Sequence, residues 1–302
     1  MGTAPNIVGV VLPELTSPRR VIGGRVFDFS REVAVMAIIN RTPDSFYDKG
    51  ATFSLKAAVE AARRAIADGA DWVDIGGAKF APGPAIPIGE EIDRVVPVIE
   101  ALRGSGVVIS LDTFHPGVAL AGIAAGAHVI NDTTGVHDPA MAEVVADSDA
   151  TLVITHSLAL PRTAYPAPRY GDVVTEVADF LRERVDRATE RGVPLDRIIV
   201  DPGHDLNKNT RHSLELTRRL AEITELGLPT LVAVSNKDFV GETLGRERGG
   251  RVEGSLAAAV FCILQGARIV RMHNVTAAVD AVRMTEAILG FRDPAYLRHN
   301  MG

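Results

Sequence analysis

Eight times from Val33 onward, a short β-branched run ends in polar residues and an amphipathic stretch follows. No other feature of the chain restricts its fold as much. The runs are VAVMAIIN (33–40), WVDIG (72–76), VVISLDT (107–113), HVINDT (128–133), TLVITH (151–156), IIVDP (198–202), TLVAVSN (230–236) and RIVRMH (268–273). Between them lie helical patterns such as SLKAAVEAARRAIADGA, which opens on Ser54, an N-cap residue type, and stops at Gly69. Strands alternating with helices imply parallel pairing, in either an open doubly wound sheet or a closed barrel. Eight units in about 250 residues is the barrel count, and no G-x-G-x-x-G follows any strand as a dinucleotide-binding sheet requires. The expectation is an α/β chain forming a (β/α)8 TIM barrel, with residues 1–302 as a single domain. Within 1–32, VIGGRVFDF turns on a Gly-Gly pair and reads as a hairpin closing the barrel floor.

A net charge of -6 supplies no broad basic field, so nucleic acid is not an expected partner. No apolar run approaches the roughly 20 residues that span a bilayer, and no signal peptide is apparent. Cys262 is the only cysteine; with no disulfide possible, a reducing, cytoplasmic setting is expected, with the thiol buried on a helix.

In a (β/α)8 barrel, chemistry collects where the strands exit at their C-terminal ends. Those positions carry Asn40, Asp74, Asp112, Asn131, Asp132, His156, Asp201, Ser235, Asn236, Lys237, Arg271 and His273. Asp112, Asn131, Asp201 and Lys237 offer carboxylates, an amide and an ammonium, which suit the edges of a flat, nitrogen-rich heterocycle. Arg271, His273 and Asn40 suit an anion and its metal ion. His156 reads equally as a site residue or a satisfied structural histidine. His115 reads as a helix start. His204, Asp205 and His212 have no closed metal-ligand spacing and read as an exposed loop.

At this point the motifs resemble a known family. INRTPDSFYDKG (39–50) is similar to the first signature of dihydropteroate synthases, N-V-T-P-D-S-F-S-D-G-G. DIGG…PG matches the frame of the second, D-I-G-G-E-S-T-R-P-G, and LDT, IND, DPG, S-x-K and R-x-H follow in the family's order up to about Leu289. The resemblance implies condensation of a dihydropterin diphosphate with p-aminobenzoate: the methylene carbon ionises and the amine attacks it. It implies that Asp112, Asn131, Asp201 and Lys237 bind the pterin. Asn40 would hold Mg²⁺ on the diphosphate, with Arg271 and His273 on the phosphates. A loop from Thr42 to Asp48 would complete the p-aminobenzoate pocket, with Phe46 as one wall and Pro82 opposite. Lys237, Arg271, His273 and Asp48 are the catalytic residues so implied. Sulfonamide or sulfone-like analogues would share the pocket, and a homodimer is implied through the last helices.

The chain departs from the family where charge is handled. In the second loop Glu-Ser-Thr-Arg is replaced by Ala78, Lys79, Phe80 and Ala81; the arginine of S-R-K is Asn236, followed beyond Lys237 by Asp238. A carboxylate at Asp238 would repel that of p-aminobenzoate. Two glycines of D-P-G-x-G-F-G-K have become Asp205 and Asn207. A hydrogen bond to a charged group contributes roughly 1.5–3 kcal/mol, so losing two arginines would cost about 3–6 kcal/mol, or roughly 10²–10⁴ in diphosphate or transition-state binding. Lys79 and Arg41 offer partial replacements, although a point charge lacks the planar fork of arginine. The favoured reading is a synthase-like protein that keeps its pterin site and has weak or no synthase activity. The alternative is an active synthase using Lys79 and Arg41. A corrinoid-dependent methyltransferase is disfavoured, because TPDSF is present and the chain has no room for a corrinoid domain.

Overall fold

The computed structural model describes residues 12–41, 54–78, 80–159 and 162–300. Two antiparallel strands open it, β1 (Arg19–Ile22) and β2 (Arg25–Asp28). Their turn places Gly23 and Gly24 at φ of 58° and 76°, the left-handed pair that a two-residue hairpin loop requires. A side chain at Gly23 would also collide with the His128 ring, 2.6 Å from the Cβ position.

Eight parallel strands follow: β3 (Ala34–Asn40), β4 (Trp72–Gly76), β5 (Val108–Asp112), β6 (Val129–Asp132), β7 (Thr151–Thr155), β8 (Ile198–Asp201), β9 (Leu231–Val232) and β10 (Ile269–Met272). Their spatial order is β8-β7-β6-β5-β4-β3-β10-β9, and a parallel bridge from Val200 to Thr230 joins the two ends. The result is a TIM barrel with an N-terminal hairpin. β9 is shorter than the run Thr230–Asn236 suggests. After Val232 the chain leaves the ladder and turns, with Asn236 at φ 56° and its N–H donating to Ser255 Oγ at 3.0 Å.

Alternation along the strands sorts side chains into two cores. Met36, Trp72, Val108, Val129, Val153, Ile199, Leu231 and Ile269, one from each strand, point into the barrel near its N-terminal end. The hairpin plugs this layer from below with Ile22, Phe27 and Phe29, Phe27 meeting the Trp72 ring edge-on at 5.7 Å. Each such side chain stabilises the floor by about 1.5–3 kcal/mol on burial. The second core fills the space between strands and helices. The helix Leu55–Ala67 shows why that face forms: Ala58, Val59, Ala62 and Ala65 recur at helical spacing and are buried. Ser54 accepts a hydrogen bond from the Ala57 N–H at its start, and Gly69 at φ 96° follows its end. Cys262 is buried in the helix Val252–Leu264. No helix among the described residues is long and apolar enough to cross a membrane. With the floor closed by apolar packing, polar groups gather at the opposite rim.

Candidate functional site

The rim surrounds a cavity of about 800 Å³. Its base is organised by Asp74, fully buried on β4. Ser110 Oγ donates to Asp74 Oδ1 at 2.6 Å, while Asn131 Nδ2 and Arg271 Nε donate to Oδ2 at 3.2 and 2.6 Å. From β10 the Arg271 side chain reaches past β3 and β4 to β5, where Nη2 donates to Asp112 Oδ2 at 3.0 Å. One guanidinium therefore serves two carboxylates. Burial and the neighbouring Asp74 push the Asp112 carboxyl up to about 7, against the pull of Arg271. The two carboxylates in turn raise the pKa of Arg271, outweighing its burial. This node also fixes Asn131: with its amide nitrogen on Asp74, its buried Oδ1 has no partner in the protein. A buried carbonyl oxygen left over in a cavity wall calls for an N–H donor from a ligand.

On the far side, β8 ends at Asp201, whose Oδ1 accepts the Gly203 N–H at 2.7 Å. Burial raises this carboxyl to about 6, opposed by that hydrogen bond and by Lys237 and Lys208. Gly203 stands at φ 68°, and any Cβ there would lie 2.2 Å from the His156 carbonyl oxygen, so only glycine fits. Lys208, beneath the same loop, donates from Nζ to His156 Nδ1 at 2.7 Å, Gly203 O at 2.9 Å and Leu206 O at 3.1 Å. Its three donors are thus spent on holding the loop, and burial lowers it to about 7. Of the two readings open for His156, the structural one holds: its ring is buried and packs edge-on against Phe180. Lys208 is the residue that the strand-end reading missed. Its only signal was its place as the lysine of DPGHDLNK.

The two replaced glycines of that loop keep the glycine conformation. Asp205 and Asn207 have φ of 63° and 51°, which Asp and Asn tolerate best among non-glycine residues. Each then adds bonds a glycine cannot make. Asp205 Oδ2 accepts the Asp238 N–H at 2.6 Å and Oδ1 accepts from Ser213 Oγ at 2.9 Å. Asn207 Oδ1 accepts from Ser157 Oγ, Leu158 N–H and Ala159 N–H at 2.9 to 3.0 Å. The loop after β8 is thereby tied to the loops after β7 and β9. It is also less exposed than its composition suggested: His204 is fully buried, bonded to Thr217 and pushed down to about 3 by burial. His212 instead pairs with Asn209 at a helix start, so these residues do not converge on a metal. His115 is the N-cap of Pro116–Ala125.

Asn40, Pro82, Lys237 and His273 line the same cavity as Asp112, Asn131, Asp201 and Arg271. Ser235 lies within hydrogen-bond distance of His273 Nδ1 at 3.0 Å and accepts its N–H at 3.1 Å, which orients the ring. Asn40 offers one amide oxygen, and among the described residues no group of three His, Cys, Asp or Glu side chains could hold a metal ion. That donor set fits Mg²⁺ carried on a substrate's phosphates better than a resident metal.

The altered positions face the cavity too. Ala78, Phe80 and Ala81 line it beside Pro82, and Asn236 stands where a guanidinium would, its Oδ1 buried and unpartnered. Arg41 does not make up the difference. Its Nη1 donates to the Asp93 and Arg94 carbonyls of the helix Ile88–Leu102, at 3.0 and 2.5 Å. Asp238 is flanked by Arg251 at 2.9 Å and Arg248 at 3.8 Å, which tempers the repulsion expected of its carboxylate. Phe46, Asp48 and Lys79 lie outside the described residues.

Comparison with known proteins shows the family. The profile of the family described as "Pterin binding enzyme" matches residues 36–273. The "Inactive dihydropteroate synthase 2" of Mycobacterium tuberculosis is 49% identical over 267 residues, 86% of this chain and 84% of that one. The dihydropteroate synthase of Escherichia coli is 39% identical over 261 residues, 86% of this chain and 93% of that one. The crystal structure of Yersinia pestis dihydropteroate synthase with a sulfonamide drug complex superposes with a TM-score of 0.86 at 36% identity, covering 91% of this chain and 100% of that chain.

Proposed function

From the premise that this chain belongs to the pterin-binding family of dihydropteroate synthases, we propose that it binds a pterin at the base of its barrel mouth but does not condense a pterin diphosphate with p-aminobenzoate. One observation carries the proposal: acceptors and donors for a flat heterocycle converge at the base, while two arginine positions at the rim carry a methyl group and an amide. Asp112, Asp201 and the orphaned Asn131 Oδ1 would accept the N–H groups of the ring, and Lys237 would donate to a ring carbonyl or nitrogen. His273 and Asn40, which line the same cavity, would face an anion carried on the ligand's side chain. Arg271 is already held by Asp74 and Asp112 through Nε and Nη2, so its charge is shared with two carboxylates before any anion arrives.

Leaving-group departure needs charge stabilisation placed in advance, and this is the element that the chain has reduced. The strong likeness to a relative described as inactive supports the reading. Mg²⁺, where a phosphorylated ligand carries it, would supply Lewis-acid charge neutralisation beside Asn40. Pairing into a homodimer through the last helices is supported by exposed Phe261, Met284 and Ile288 on Val252–Leu264 and Val275–Ile288.

The test is a product assay with pterin diphosphate, p-aminobenzoate and Mg²⁺. It should be run on this chain and on a variant combining Ala78→Glu, Phe80→Thr, Ala81→Arg and Asn236→Arg. No dihydropteroate from the first and measurable product from the second is expected. Turnover by the unaltered chain at a rate ordinary for a synthase would refute the proposal.

A further inference from the structure

Of the four residues that would surround a pterin ring, three stand inside strands: Asp112 on β5, Asn131 on β6 and Asp201 on β8. Lys237 does not. β9 ends at Val232, and the chain has left the ladder before Lys237 begins the helix Asp238–Leu244 as its N-cap. In between, Asn236 holds a left-handed φ of 56°, which a non-glycine residue keeps only where surrounding bonds enforce it. Something other than a strand neighbour must fix this turn.

Arg251, buried at the start of the helix Val252–Leu264, is bonded to every residue of it. Its Nη1 donates to the Asn236 carbonyl at 3.0 Å, the Lys237 carbonyl at 3.1 Å and Asp238 Oδ1 at 2.9 Å. One helical turn on, Ser255 Oγ accepts the Asn236 N–H at 3.0 Å and donates to the Arg251 carbonyl at 2.6 Å. Room for the guanidinium comes from Gly241. A Cβ there would lie 2.2 Å from Arg251 Cζ and 2.3 Å from Nε and Nη2, so any side chain would push the guanidinium off the turn. Arg251 does not itself line the cavity, and whatever it does for a ligand passes through Lys237.

Resting on the pterin reading above, we infer that Arg251 is a positioning residue, fixing the turn from which Lys237 reaches the pterin. It takes the place of the ladder that holds the other three residues. A planar guanidinium suits the task, because its donors are set at fixed angles to several carbonyls at once. An ammonium on a flexible stem carries the same charge without that geometry.

Calorimetric titration of hydroxymethyl dihydropterin into the intact chain, and into variants that disturb the guanidinium by two independent routes, tests this. Arg251→Lys keeps the charge and removes the fork, whereas Gly241→Ala keeps the arginine and displaces it. Each is expected to weaken binding roughly tenfold, part of what one hydrogen bond to a charged group supplies. In a Lys237→Ala background neither should change affinity by more than about twofold, because the group they position is gone. Weakening of equal size with and without Lys237 would make Arg251 a purely structural residue and overturn the inference. Affinity unchanged by both substitutions, or by Lys237→Ala alone, would overturn it as well. Should one variant fail to fold, the other decides by the same comparison. Failure of the unaltered chain to bind the pterin overturns the pterin reading itself.

Discussion

The base and the rim of the barrel mouth have diverged to different degrees. At the base, side chains from β4, β5, β6 and β10 form one connected network around Arg271 and Asp74, and Asp201 completes the set from β8. Every member stands on a strand end, fixed by the ladder and bonded to its neighbours. At the rim, the loops after β4 and β9 carry Phe80, Ala81 and Asn236 where the family carries a hydroxyl and two guanidinium groups. Replacing a member of the base unbalances a buried charge, whereas replacing a rim residue alters only what the cavity offers a ligand. On the proposed reading, chemistry carried on loops is lost while a binding floor on strands persists, because the Asp74–Arg271 network also balances buried charge.

The sharpest way to break this contrast is at Arg271. Arg271→Met leaves Asp74 and Asp112 buried together without a cation, and should destabilise the chain by about 3–5 kcal/mol in a urea melt. A loss below 1 kcal/mol, a rough threshold for exposed pairs, would show that the network is not structural. Asp201→Asn should weaken pterin binding roughly 10- to 100-fold, the effect of one hydrogen bond to a charged group, as read by calorimetry.

The same carboxyls predict opposite pH trends for folding and binding. Asp112 and Asp201 are raised to about 7 and about 6 in the folded protein, chiefly by burial. Between their unfolded value near 3.8 and these folded values, the native state holds more protons than the unfolded one. Their contribution to stability is thus full at low pH and is lost as pH rises through about 6 to 7. Pterin affinity should move the other way, falling as pH drops from 7 to 5, because a protonated carboxyl accepts poorly. A flat affinity profile over that window would remove both carboxylates from the binding scheme.

The smallest effects belong to the rim staples. Asp205→Gly and Asn207→Gly should each cost about 1 kcal/mol, the size of a lost cap. Amide exchange separates the two. The first should speed exchange at Asp238 and Phe239, the second at Leu158 and Ala159. Uniform changes in both variants would mean that the loops are not tied as described.

Much of this was legible in the sequence because strand ends in a parallel barrel announce themselves by an abrupt change from apolar to polar. Strands β3, β5, β6 and β8 end at Asn40, Asp112, Asp132 and Asp201, each within one residue of the end of its run. Other features were hidden because spacing says nothing about what a long side chain reaches. Arg271 spans three strands to Asp112, Arg41 turns away onto a helix, and Lys208 lies under a loop whose composition looked exposed. Asp205 and Asn207 read as lost glycines. Only their left-handed φ shows that the conformation was kept and new bonds were added.

The central claim is a pterin floor that survives without its diphosphate clamp. Calorimetry comparing hydroxymethyl dihydropterin with its diphosphate ester, in the presence of Mg²⁺, tests it most directly. Both are predicted to bind with affinities within about threefold of each other, since the clamp would otherwise contribute roughly 3–6 kcal/mol. A diphosphate that binds about a hundredfold more tightly than the alcohol would contradict the account.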